Sequence, residues 1–212
     1  MSKTVRTLLM GLFTACLLNA GLIYNNGLPN GIGGSEMSQW NEAASFTLGS
    51  AASLTNVRFW DVQGSYYGSI HWQIYTDGGG LPGSLLYSGD ATPTQVVDTS
   101  ARCCSLTGYR DDFSVGSLAL SGGVTYWLAL HNGPLSHDSL DRVYWASTGT
   151  SPYGSASYDL TSDGVWVGQT YAKAFELFGD SGSSAPEPDT IALTTLGIGA
   201  VLLLRAKPRK TA

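Results

Sequence analysis

At 212 residues, with 16 acidic against 11 basic side chains, the chain has room for one ordinary domain and little more. Residues 21–180 hold 14 acidic and 5 basic side chains. That balance argues against nucleic acid or anionic lipid as a partner, because both repel a negative surface.

In chain order, Lys3 and Arg6 precede a largely apolar stretch over 8–18, and Leu18-Asn19-Ala20 ends in a small residue. Positive start, short apolar run and small-residue end predict a secretory signal helix over 1–20, cut after Ala20. Cys16 offers a lipoprotein alternative, but Phe13 puts a bulky ring where a lipobox takes an aliphatic residue. The remaining body, 21–180, is long enough to bury a real core.

Alternation with a period of two recurs through that body. Over 57–60, Val57 and Phe59 fall on one face; over 69–75, Ile70, Trp72 and Ile74 oppose His71, Gln73 and Tyr75. The Asp77–Gly83 region, rich in Gly and Pro, reads as a turn before a strand at 85–87. Asp111-Asp112 beside Arg110 reads as a charged turn ahead of a segment over 113–120, with half of a calcium site as the alternative. Val124, Tyr126, Leu128 and Leu130 share a face opposite Trp127 and His131. Strands at 143–146 and 155–160 follow, then a hairpin turn at Asp163-Gly164, a strand at 165–167 and a last one within 171–178. Nothing in the body keeps helical spacing for three turns. The expectation is an all-β antiparallel β-sandwich of eight to ten strands, jelly-roll-like for its length.

Candidate chemistry is sparse. Ser136-His137-Asp138-Ser139 contains triad residue types, but sequence neighbours in a loop do not converge as a triad does. His71 and His131 lack zinc-ligand spacing and read as polar-face residues. No catalytic residue, no cofactor and no enzymatic activity are expected, and the metal question is open. Cys103 and Cys104, the cysteines of 21–180, can form a vicinal disulfide, bond between chains or stay free. Trp60, Tyr75 and Trp127 fall opposite their apolar neighbours, which makes them a candidate platform for stacking a sugar.

A Gly/Ser-rich linker over 181–190 contains Pro186-Glu187-Pro188. Two prolines fix φ and bias the preceding residues away from the α region, so the tripeptide is extended and a helix begins only beyond it. The apolar run 191–204 covers about 21 Å as a helix, short of the roughly 30 Å of a hydrocarbon core. Arg205, Lys207, Arg209 and Lys210 then form a basic tail over 205–212, retained in the cytoplasm by the positive-inside rule.

This arrangement of proline motif, short transmembrane helix and basic stop resembles the PEP-CTERM sorting signal of Gram-negative exported proteins. The resemblance implies transient retention in the inner membrane and cleavage near Pro186 by an exosortase, a membrane-embedded cysteine-protease-like enzyme. Delivery to the cell surface or the extracellular polysaccharide would follow. Tyr24-Asn25-Asn26-Gly27, Ile74-Tyr75-Thr76-Asp77, Pro82-Gly83 and the run 123–130 are similar to uncharacterised β-sandwich bodies carried on such proteins. Where those bodies often show acidic pairs, near Asn41–Phe46, this chain has Glu42 alone. The expected role is structural or adhesive, with carbohydrate binding as the alternative and a glycoside-active hydrolase behind it.

Overall fold

The computed structural model describes residues 20–149, 155–159 and 165–181. The signal over 1–19, the turn at Asp163-Gly164, the sorting motif, the apolar run 191–204 and the basic tail lie outside the described residues. Among the described residues, no helix is long and apolar enough to cross a membrane.

Thirteen strands are described: β1 (Gly21–Asn25), β2 (Pro29–Glu36), β3 (Trp40–Thr47), β4 (Ala52–Gln63), β5 (Ile70–Asp77), β6 (Pro82–Ala91), β7 (Thr94–Val97), β8 (Thr107–Leu120), β9 (Thr125–Asn132), β10 (Tyr144–Thr148), β11 (Ser155–Asp159), β12 (Trp166–Gln169) and β13 (Phe175–Ser181). They form two antiparallel sheets. One runs β1-β13-β4-β10-β2, with β8 on the far edge of β4 and β7 beyond it. The other runs β12-β11-β3-β9-β5-β6. The described residues therefore form a nearly all-β body of two packed antiparallel sheets, as their alternation predicts.

Period two decides which side chains meet between the sheets. Leu54, Val57, Phe59, Phe113 and Val115 come from β4 and β8; Ala44, Phe46, Ile70, Trp72, Ile74, Leu128 and Leu130 come from the opposing sheet. Phe59, Trp145 and Phe175 meet edge-on, with ring centroids 5.8–6.3 Å apart, a geometry that adds quadrupole attraction to the burial. The long β4–β8 ladder is interrupted between Leu54 and Asn56. Gly116, with φ +83°, sits in the extra length of β8 there and takes a backbone conformation that other residues resist.

The expected charged turn at Asp111-Asp112 is corrected. Both residues lie inside β8, opposite Phe59 and Arg58 of β4. Asp112 accepts from Arg58 Nε at 2.6 Å and Arg110 Nε at 3.1 Å, so its charge is neutralised within the ladder. Such cross-strand pairing is invisible to a reading that equates adjacent charges with a turn.

Candidate functional site

Glu42 is an acidic residue set among Ala43, Ala44 and Phe46 on β3, and its parity with Ala44 and Phe46 turns it inward. Lys173, the lysine of the 21–180 stretch, precedes β13 and bridges in backbone to Ser147 of β10. The two side chains meet inside the sandwich, Lys173 Nζ to Glu42 Oε2 at 2.8 Å, and are 0% and 2% exposed. The ammonium also donates to Gln169 Oε1 at 3.1 Å and to the Ser35 hydroxyl. Burial raises the Glu42 carboxyl and lowers the Lys173 ammonium, and each partner's charge opposes that trend in the other.

A cleft of about 410 Å³ opens above this pair, lined among others by Ser35, Glu36, Trp40, Glu42, Gln169 and Tyr171. Two local features shape it. Glu36 Oε1 and Oε2 accept from the backbone N–H groups of Ser38 and Gln39 at 3.0 and 2.8 Å, which ties down the turn that delivers Trp40. Gly34 lets β2 and β10 close against each other, since a Cβ there would stand 2.6 Å from the Trp145 carbonyl oxygen. The Tyr171 ring stands at the rim, 65% exposed. Acceptors, a donor pair and an exposed aromatic face together suit an uncharged polyhydroxylated ligand better than an anion, which Glu36 and Glu42 would repel.

The sequence-predicted platform lies elsewhere and is closed. Trp60 is 3% exposed and packs with Ala101, Ala146 and Ala174, under the short turn Thr99–Ala101; its indole N–H donates to Asp98 Oδ2 at 2.8 Å. Trp127 is 1% exposed, packed with Tyr75, Leu81 and Trp166, and donates to Asp77 Oδ1 at 2.9 Å. Tyr75 is half-buried edge-on against Trp166. Trp60 and Trp127 stand on the outer faces of different sheets, so they cannot share a ligand. Their parity was correct; what parity could not show is that the Thr99–Ala101 turn covers Trp60 and that Tyr75, Leu81 and Trp166 cover Trp127.

The remaining candidates are structural ties. His71 and His131 are register partners on β5 and β9. His71 Nδ1 lies 2.8 Å from Asp90 Oδ1, and buried His131 places Nδ1 3.0 Å from the Gly133 carbonyl. In the 134–141 loop, His137 Nε2 and the Ser139 hydroxyl both meet Asp141, at 2.6 and 2.8 Å. Ser139 thus engages the carboxylate and not the imidazole. The sulfurs of buried Cys103 and exposed Cys104 face each other.

Neither the Lys173–Glu42 pair nor Tyr171 was singled out from sequence. A lone lysine between two alanines ahead of a β-strand, and a lone acid in an alanine-rich strand, were the available signals.

No protein-family model and no curated protein matches the chain. Among solved structures it is similar to a CocE/NonD family hydrolase from Staphylococcus aureus, at 9% identity and a TM-score of 0.30, over 76% of this chain and 36% of that one. The chain thus spans about a third of that protein, and so distant a likeness carries no argument about function.

Proposed function

We propose that this is an exported protein, trimmed at Pro186–Pro188 by an exosortase-type enzyme, whose sandwich serves a structural or adhesive role at the cell surface or in extracellular polysaccharide. The observation that carries the reading is how the fold sits between the two end segments. β1 starts at Gly21, directly after the proposed signal cut, and pairs with β13, Gly21 opposite Gly179. The described body therefore begins and ends at the same edge of one sheet. β13 ends at Ser181, five residues before Pro186, which keeps the cleavage motif close to the body.

Lys173 and the cleft lie at the other end of β13. Eight residues of extended chain separate Lys173 from Ser181, roughly 26 Å at 3.3 Å per residue. A body retained through its tail would hold the cleft away from the membrane. The pairs β1–β13, β3–β9, β4–β8 and β5–β6 follow the strand order of a jelly roll, which supports that finer reading of the sandwich.

The second reading, carbohydrate binding, is favoured by Trp40 and Tyr171 beside the Glu42–Lys173–Gln169 cluster. Intact mass of protein from cells with and without a matched exosortase tests the first. Loss of the 205–212 tail only when the enzyme is present is expected; an identical, full-length mass in both ends the sorting reading. Retention of the processed protein on polysaccharide from the same cells tests the second, and flow-through equal to a Tyr171→Ala variant rejects it.

A further inference from the structure

The loop that carries β7 into β8 closes at its base. Asp98 N–H donates to the Gly108 carbonyl at 2.9 Å, and a Cβ on Gly108 would stand 2.6 Å from the Asp98 carbonyl oxygen, so β8 seats directly on the loop. Ala101, in the short Thr99–Ala101 turn, packs with Trp60. The tip beyond it is the four-residue turn 103–106, in which the Leu106 N–H donates to the Cys103 carbonyl at 2.8 Å.

The two central residues of that turn are Cys104, at φ +57°, and Ser105, at φ +62°. This is the φ pattern of a type I′ turn, which Gly, Asn and Asp fill readily and a cysteine or serine resists. Among the described residues, Arg142 is the one other non-glycine with positive φ. Strain of this kind persists where something else fixes the backbone. Its effect is visible in the side chains. In extended chain, neighbouring side chains point to opposite sides; the left-handed conformation at Cys104 brings its sulfur back onto that of Cys103. The two sulfurs lie 2.6 Å apart. Unbonded carbons, which are smaller atoms, pack no closer than about 3.5–4.0 Å. A bond of about 2.05 Å is a small side-chain rotation away.

We propose that Cys103 and Cys104 are joined as a vicinal disulfide, an eight-membered ring that holds the 103–106 turn. The oxidant is a second disulfide, free or carried by a protein. Exposed Cys104 is the entry point: its thiolate attacks one sulfur of that disulfide and expels the other as a thiolate. Cys103 then gives up its proton and attacks the Cys104 sulfur, which closes the ring and expels the second thiolate. Two cysteine thiols are thereby oxidised and one disulfide is reduced to two thiols. Burial keeps Cys103 protonated, so ring closure is the slower step. Cα atoms across a trans peptide lie about 3.8 Å apart, short of the roughly 4.4–6.8 Å of ordinary disulfides. The ring is therefore tight, and an added dithiol opens it more readily than an ordinary disulfide.

The full chain in detergent is incubated with oxidised glutathione at pH 8, alkylated with iodoacetamide in urea, and cut with trypsin. Cleavage after Arg102 and Arg110 releases both cysteines in one peptide, 103–110. That peptide is expected without alkyl groups and two hydrogens lighter than the dithiol, in at least tenfold excess over any alkylated form. Dithiothreitol added to the folded protein before alkylation should convert it to the doubly alkylated peptide. The Cys104→Ser variant should never give the lighter mass, and its Cys103 should be found alkylated or bonded to glutathione. A doubly alkylated wild-type peptide after glutathione disulfide treatment overturns the proposal. So does a lasting Cys104–glutathione disulfide, or a bond from the peptide to Cys16 or to a second copy of the chain.

Discussion

Glu42 and Lys173 belong to opposite sheets, so their 2.8 Å contact is an ionic tie across the sandwich, completed by Gln169 and Ser35. A buried pair of this kind gains little over a well-packed apolar pair, yet removing one member strands the other charge in low dielectric. Lys173→Met should therefore cost about 3–5 kcal/mol, and Glu42→Leu combined with Lys173→Met should cost clearly less than the two singles added together. Urea unfolding of the four proteins measures this. A single variant within about 1 kcal/mol of wild type would mean that water reaches the pair.

Tyr171 separates binding from stability. Its ring is 65% exposed, so Tyr171→Ala should shift stability by no more than about 0.5 kcal/mol. If the cleft takes glycan, the same change should weaken retention on polysaccharide at least tenfold, about 1.4 kcal/mol. Affinity chromatography and thermal unfolding on the same two samples give both numbers.

Asp141 makes the 134–141 loop acid-sensitive. The His137 hydrogen bond, partly offset by burial and helped by Ser139, holds its carboxyl below the usual range. A folded-state pKa below the unfolded one contributes stability that is complete above about pH 4 and is lost as pH falls through the lowered value. Asp141→Asn should lack that increment, so its stability deficit against wild type should be full at pH 5 and shrink toward pH 2.5. A deficit that does not change with pH would trace the loss to packing and not to ionisation.

The two thiols should differ in reactivity. Cys104 is exposed, whereas Cys103 is buried and its thiol is pushed up to about 12 by that burial and by Cys104. In reduced protein at pH 8, iodoacetamide should label Cys104 at least tenfold faster, because the thiolate is the reacting form. Peptide mass mapping over time reads the order, and equal rates would show that the 102–106 turn opens freely.

The sandwich was legible because apolar side chains recur at every second residue in segments such as 57–60, 69–75 and 124–131, and period two is a property of the chain itself. β2 was not legible: a glycine-rich segment has no side chains with which to alternate, and only its partner β10 defines it as a strand. Asp111 and Asp112 misread as a turn for a related reason, since the arginines and the carboxyl that surround them arrive from β4 and from two residues away in β8.

Residue order alone determined the charge segregation and the two-sided strands, because each is local. Tertiary structure decided which faces stay open. Parity sent Trp60 and Trp127 outward, but side chains from other parts of the chain covered both, while Lys173 and Glu42 came together from 131 residues apart. Burial and pairing between remote strands depend on how the sheets stack, and no spacing along a single strand encodes that.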